Sequence, residues 1–239
     1  MEARRHNPRA AHVMREADRR LRLVGMARNP YLVSLGNGSM TKAAFRSTQE
    51  QFFFAVTFFS RPMAALVGRI ADPHARLEIL HNLVEEHGEF EERAFHHNTF
   101  RAFLRSIGGN PAKLKRLTLW PELRAFNSAL TAACVLDELE VGIGCMGIIE
   151  RAFAGISATI GRSVVKRGWV SEAQLVHYKL HAAIDDRHAE EFFAVIEPAW
   201  RNRTRRHFIQ QGLEMGAYIF NRLYLDLYER SRQPHVTKP

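Results

Sequence analysis

The stretch His177-Tyr-Lys-Leu-His181-Ala-Ala-Ile-Asp185-Asp-Arg-His188 decides how the rest of the chain is read. His181, Asp185 and His188 stand four and then three residues apart. At about 100° per residue, those steps keep the three side chains within roughly 60° of one another on one helical face. Two imidazoles and a carboxylate on one face form a chelating set, and with open positions left over they suit iron that handles O₂. The plainer reading of the same residues is a run of half-exposed polar positions. Asp186 competes with Asp185 as the acid, and His177 extends the face by one turn.

Working outward, the periodicity predicts helices almost everywhere. Ala10 to Met26 is helical in period with a basic outer face, and Asn29-Pro30 stops it. After the loop Gly36-Asn37-Gly38-Ser39, Thr41 is placed to cap a long helix from Lys42 to about Ile70, with Pro62 inside it. Asp72-Pro73 opens a helix to about His87. Gly88 interrupts it, and the pattern resumes through Phe103 to the stop at Gly108-Gly109-Asn110-Pro111. Further helices run from Trp120-Pro121 to Val135, and from Asp137 to Lys166, where Gly142, Gly144 and Gly147 imply close backbone packing. Ser171 with Gln174 is a capping box for the helix carrying the His/Asp cluster. A last helix spans Trp200 to Glu229. Nothing alternates with a period of two between hairpin turns. The expectation is one all-α domain over residues 1–239, with 1–9 and 231–239 as disordered tails.

Composition narrows the function classes. With 239 residues and 46% apolar content, the chain can bury a sizeable core. The net charge of +9 would tolerate nucleic acid. The arginines are scattered, however, and no short helix–turn–helix stands out, so a solvated basic surface is expected and nucleic acid is not. A basic all-α DNA-binding regulator is the rival from a different class. The two cysteines, Cys134 and Cys145, form no CxxC and fit a reduced, cytoplasmic compartment. The first residues have no apolar run of the kind found in signal peptides. The most apolar run, Phe52 to Phe59, falls short of the roughly 20 residues that span a bilayer, so no membrane partner is expected.

A two-metal site needs about four to six side-chain ligands, so other helices must contribute. Glu85, Glu89 and His96 share a face if their helix is continuous, since four and eleven residues are close to whole turns. Glu150 follows an apolar, glycine-rich segment, where a lone acid must be paired, protonated or metal-bound. Each has a plain alternative: Glu85, Glu86, Glu89, Glu91 and Glu92 as a solvated acidic face, and Glu150 as a partner of Arg151 or of an arginine on a neighbouring helix. Glu78-Ile-Leu-His81 fits one Glu-x-x-His copy of ferritin-like proteins, but the second copy that such sites need is only imperfectly matched by Asp185-x-x-His188.

In this order, the segments resemble the haem-oxygenase-like di-iron oxidases and oxygenases, a family related in fold to the TenA and PqqC proteins. Asn82-Leu83-x-Glu85-Glu86-x-Gly88 looks like that family's Asn-Leu-x-Glu-Glu-x-Gly signature. His96 to Gly108 looks like its His segment, Gly144 to Glu150 like the segment bearing its central Glu, and His181, Asp185 and His188 match its last motif. The resemblance covers about Tyr31 to Ala194 and implies a haem-oxygenase-like bundle of about seven helices around two Fe(II) ions, with Mn the alternative and O₂ as co-substrate. It implies that Glu85, His96 and His181 hold one metal, and Glu150, Asp185 and His188 the other. Glu89, seven residues before His96, stays a rival to Glu85.

The implied function is oxidation, desaturation, N-oxygenation or C–C cleavage of a small carboxylate- or amine-bearing metabolite, amino-acid-like or fatty-acid-like. Specialised metabolite biosynthesis, an external electron donor and a homodimer belong to the same expectation. Phe52, Phe53, Phe54, Phe58 and Phe59 are the candidate pocket walls. A cofactorless PqqC- or TenA-like enzyme is the nearer alternative, and six intact ligand positions argue against it.

Overall fold

Helix starts in this chain are written as caps. In the computed structural model, which describes residues 10–233, Asn29, Thr41, Asp72 and Asn202 each accept a backbone N–H at the start of the helix that follows. The nine α-helices among the described residues are α1 (Ala11–Leu23), α2 (Pro30–Asn37), α3 (Lys42–Arg69), α4 (Pro73–Glu86) and α5 (His96–Ser106), then α6 (Pro121–Val135), α7 (Leu139–Lys166), α8 (Val176–Ile196) and α9 (Arg203–Ser231). No strand occurs among the described residues. The segments expected as tails lie outside them, apart from Ser231, which ends α9, and the two residues after it.

Two expectations change. Asn29-Pro30 ends one helical stretch but also starts another: Asn29 caps Tyr31 N–H and Pro30 occupies the first turn of α2, where a missing N–H costs nothing. The stretch after Gly88 is not helix resumed. Gly88, Glu89 and Phe90 all have positive φ, at 55°, 52° and 70°, and two 3₁₀ turns, Gly88–Phe90 and Glu92–Ala94, carry the chain to α5.

The core is built on α7, which packs most extensively against α8 and α9. Its glycines allow the close approach expected of them. A Cβ at Gly142 would lie 2.8 Å from the Ala133 carbonyl oxygen of α6, and one at Gly147 would lie 2.6 Å from the Phe193 ring of α8. By length and composition α3 and α7 could each cross a membrane, contrary to the short run read from the sequence; α7 spends its apolar surface inside the bundle, with 83% of that window buried. Phe45, Phe52, Phe100, Phe103, Phe153, Tyr178 and Tyr224 fill the space between α3, α5, α7, α8 and α9 with edge and tilted ring contacts.

Candidate metal centre

The unbroken helix α8 sets His177, His181, Asp185 and His188 on one buried face. Asp185 and His188 are fully buried, whereas Asp186 points outward to Arg151 at 2.5 Å, which separates the two neighbouring acids. From α7, Glu150 enters the same interior. Arg151 does not pair with Glu150, because it is engaged by Asp18 and Asp186.

Donor atoms of Glu150, Asp185 and His188 lie within 4.8 Å of one another. His188 Nδ1 is 3.8 Å from Glu150 Oε2 and 3.9 Å from Asp185 Oδ1, too far for hydrogen bonds. His188 Nδ1, Glu150 Oε1 and Asp185 Oδ2 are buried with no partner among the described residues, and so is His181 Nε2. Each such orphan costs about 1–3 kcal/mol. A divalent cation among the first three would satisfy them together, so the donor set fits a metal.

Electrostatics agree with the geometry. Burial and the neighbouring Asp185 push the Glu150 carboxyl up to about 7. Burial raises Asp185 well above its ordinary range. Burial also pulls at His188, but the Glu150 and Glu85 carboxylates beside it win and raise it to about 10. His181 is held down to about 3 by burial and by His96. Two buried acids that ionise reluctantly, next to a histidine that keeps its proton, form an array suited to exchanging protons for a metal cation.

A second group adjoins the first through Asp185, whose Oδ1 is 2.9 Å from His181 Nδ1. The His181 ring lies 4.6 Å from that of His96, and His96 Nδ1 is 2.8 Å from Glu86 Oε1. Burial works against the Glu86 charge, yet His96 holds the carboxyl down at about 2. His177 Nδ1 meets Thr99 Oγ1 at 3.0 Å, and its Nε2 has no partner among the described residues.

The structure thus brings Glu86, not Glu85, against His96. Glu85 is on the half-exposed side of α4: its Oε2 is 2.5 Å from His188 Nε2, and both its oxygens are 2.6 Å from Arg187 Nη2. Glu89 is exposed on the positive-φ turn. The shared face of Glu85, Glu89 and His96 does not form, because the helix ends at Glu86. Glu86, which the sequence offers only as part of a solvated acidic face, follows Ile79 and Asn82 by seven and four residues and shares their buried face. His81 is exposed, which leaves the Glu78-x-x-His81 pattern outside the centre.

Glu86, Glu150 and His181 open into a pocket walled by Phe52, Phe59, Phe126, Phe153 and Phe220, with about 430 Å³ of atom-free space, part of it open to solvent. Of the five phenylalanines expected as walls, Phe52 and Phe59 line the pocket, and Phe53, Phe54 and Phe58 do not. Among the described residues no Lys or Arg lines it: Arg151 is engaged as above, and Arg187 binds Glu85 and Glu191.

A family described as iron-containing redox enzymes has a sequence model that matches residues 46–219. A 4-aminobenzoate synthase of Nitrosomonas europaea is 24% identical over 183 residues, covering 72% of this chain and 73% of the relative. One of Chlamydia trachomatis is 22% identical over 173 residues, covering 72% and 74%. Among solved structures, a TenA homologue from Pseudomonas syringae superposes with a TM-score of 0.72 at 15% identity, covering 96% of each chain. A domain of unknown function with a haem-oxygenase-like fold, from Shewanella denitrificans, gives 0.74 at 15% identity, covering 92% of each chain. The fold is therefore haem-oxygenase-like.

Proposed function

Since this chain belongs to the family of iron-containing redox enzymes, we propose that it is an O₂-dependent non-haem di-iron oxidase or oxygenase. Its substrate is a small carboxylate- or amine-bearing metabolite with an apolar body. The observation that carries this reading is the convergence of Glu150, Asp185 and His188 with their inward atoms buried and unpartnered. In this reading those three residues hold one metal, and Glu86, His96 and His181 hold the other, Glu86 taking the place expected of Glu85. Two Fe(II) ions, with Mn(II) the alternative, supply the coordination positions and electrons for reaction with O₂.

The side chains around the centre prepare it. Asp185 accepts from His181 Nδ1 in the neutral ring, which leaves Nε2 bare for ligation. Glu86 does the same for His96. The phenylalanine walls exclude water and provide contact area for an aromatic or aliphatic body. With no Lys or Arg in the wall among the described residues, the substrate's own polar group has its partners at the centre. The relatives' name, 4-aminobenzoate synthase, points to chemistry on an aromatic amine and carboxylate. An external electron donor is part of the proposal.

The test is anaerobic loading with Fe(II), metal analysis, and then O₂ exposure with a panel of aromatic, amino and fatty acids. The expected result is two irons per chain and substrate-dependent O₂ uptake. A protein that retains no metal overturns the reading.

A further inference from the structure

We infer that Glu85, held by Arg187, is a positioning residue that fixes His188 with Nδ1 turned toward the metal centre, and is not itself a ligand. The inference rests on the proposed reading of that centre as a metal site.

His188 is fully buried, with a close polar contact at its Nε2 end and none at Nδ1. Its Nε2 is 2.5 Å from Glu85 Oε2. An ionised carboxylate only accepts hydrogen bonds, so in the neutral ring Nε2 carries the hydrogen and Nδ1 keeps its lone pair. That Nδ1 is the unpartnered atom facing Glu150 and Asp185. Glu85 is itself held: Arg187 Nη2 donates to both of its oxygens at 2.6 Å. Arg187 Nη1 donates to Glu191 Oε1 at 2.8 Å, and Asn82 Nδ2 donates to Glu191 Oε2 at 2.6 Å. Asn82 is fully buried. The array Asn82–Glu191–Arg187–Glu85–His188 therefore ties α4 to α8 and ends on a metal-facing imidazole.

Two observations set Glu85 apart from a ligand. Both its oxygens are taken by Arg187, and it does not line the pocket into which its neighbour Glu86 opens. The Asn82-x-x-Glu85-Glu86-x-Gly88 stretch then divides its tasks: Asn82 and Glu85 serve the clamp, Glu86 the interior, and Gly88 the turn.

The test compares wild type with E85A, E85Q and R187M. Metal retained per chain is measured after dialysis, and the Co(II)-loaded proteins are examined for the shifted ring N–H proton of His188, assigned with H188Q. E85A is expected to weaken retention at one of two sites by about 10- to 100-fold and to lose or broaden the His188 proton. E85Q keeps an acceptor oxygen and is expected to return retention to within a few-fold of wild type. R187M, altered at a half-exposed position, is expected to fall between them and decides the matter if E85A does not fold. If E85Q loses metal as fully as E85A, Glu85 is a ligand and the inference fails. If wild type holds two metals and E85A and R187M match it in both readouts, the inference alone fails. If wild type holds none, the functional reading fails and takes the inference with it.

Discussion

The α7–α8 pair and the α4–α5 connection both deliver side chains to the same interior, and they do so by different means. In α8 a regular helix converts sequence spacing directly into position, so His181, Asp185 and His188 emerge together. Between α4 and α5 the chain makes three consecutive positive-φ residues and two 3₁₀ turns, so the ten-residue step from Glu86 to His96 ends in a 2.8 Å contact that no helical wheel foretells. Spacing carries geometric information only as far as the backbone stays periodic. Beyond that, burial decides, and adjacent residues diverge: Glu86 is buried on His96, while Glu85 is half-exposed on Arg187 and His188.

The largest effect should come from the residue that joins the two groups. Asp185→Ala removes a donor from one group and the partner of His181 Nδ1 in the other. Metal retention and O₂-dependent turnover should both fall by roughly 100-fold or more, read by metal analysis and O₂ uptake with helicity unchanged. Retention of both metals would mean that α8 does not organise the centre.

Gly88→Ala tests the other region through its backbone. Gly88 has φ of +55°, and an added Cβ would lie 2.5 Å from the Ala94 carbonyl carbon. Strain and clash together should cost about 3 kcal/mol, lowering Tm by about 6–12 °C for a chain of this size. A smaller change would show that the turn can relax.

Glu86→Ala should weaken one of the two metals by about 10- to 100-fold, whereas Glu89→Ala, exposed on the turn, should leave metal content and stability where they were. If the two results exchange places, the α4–α5 connection carries its ligand on the turn.

Acid should separate the regions next. Glu150 is raised to about 7 in the metal-free protein, and ligation needs its carboxylate, so metal binding displaces a proton below that pH. Affinity should fall about tenfold per pH unit for each proton displaced, from His188 below about pH 10 and from Glu150 as well below about 7, measured by competition with a chelator of known pH dependence. Glu86, held down to about 2, works in the opposite sense: its contribution to stability is complete above its ordinary value of 4.5 and disappears as pH falls toward 2. Denaturant melts of the metal-free protein at pH 6 and pH 3 would show that loss.

Much of this was legible in the residues. Asn, Thr and Asp caps, prolines in first turns and the 3.6-residue period located the long helices, because those signals are local and the forces behind them act within one or two turns. The α8 motif showed the shared face of His181, Asp185 and His188 for the same reason. Asp185 was separated from Asp186 only by packing: adjacent residues on a helix point about 100° apart, and the bundle decides which of those directions is interior. Likewise Glu85 and Glu86 are one residue apart in the same signature, and only the placement of α8 and α5 against α4 gave one of them to Arg187 and the other to His96. The sequence determined by itself the helices and the acid and imidazole side chains that α7 and α8 carry. Tertiary structure alone decided which carboxylate faces inward, because burial and partnership depend on neighbours distant in the chain, and a one-residue difference in helical phase separates a buried acid from a solvated clamp.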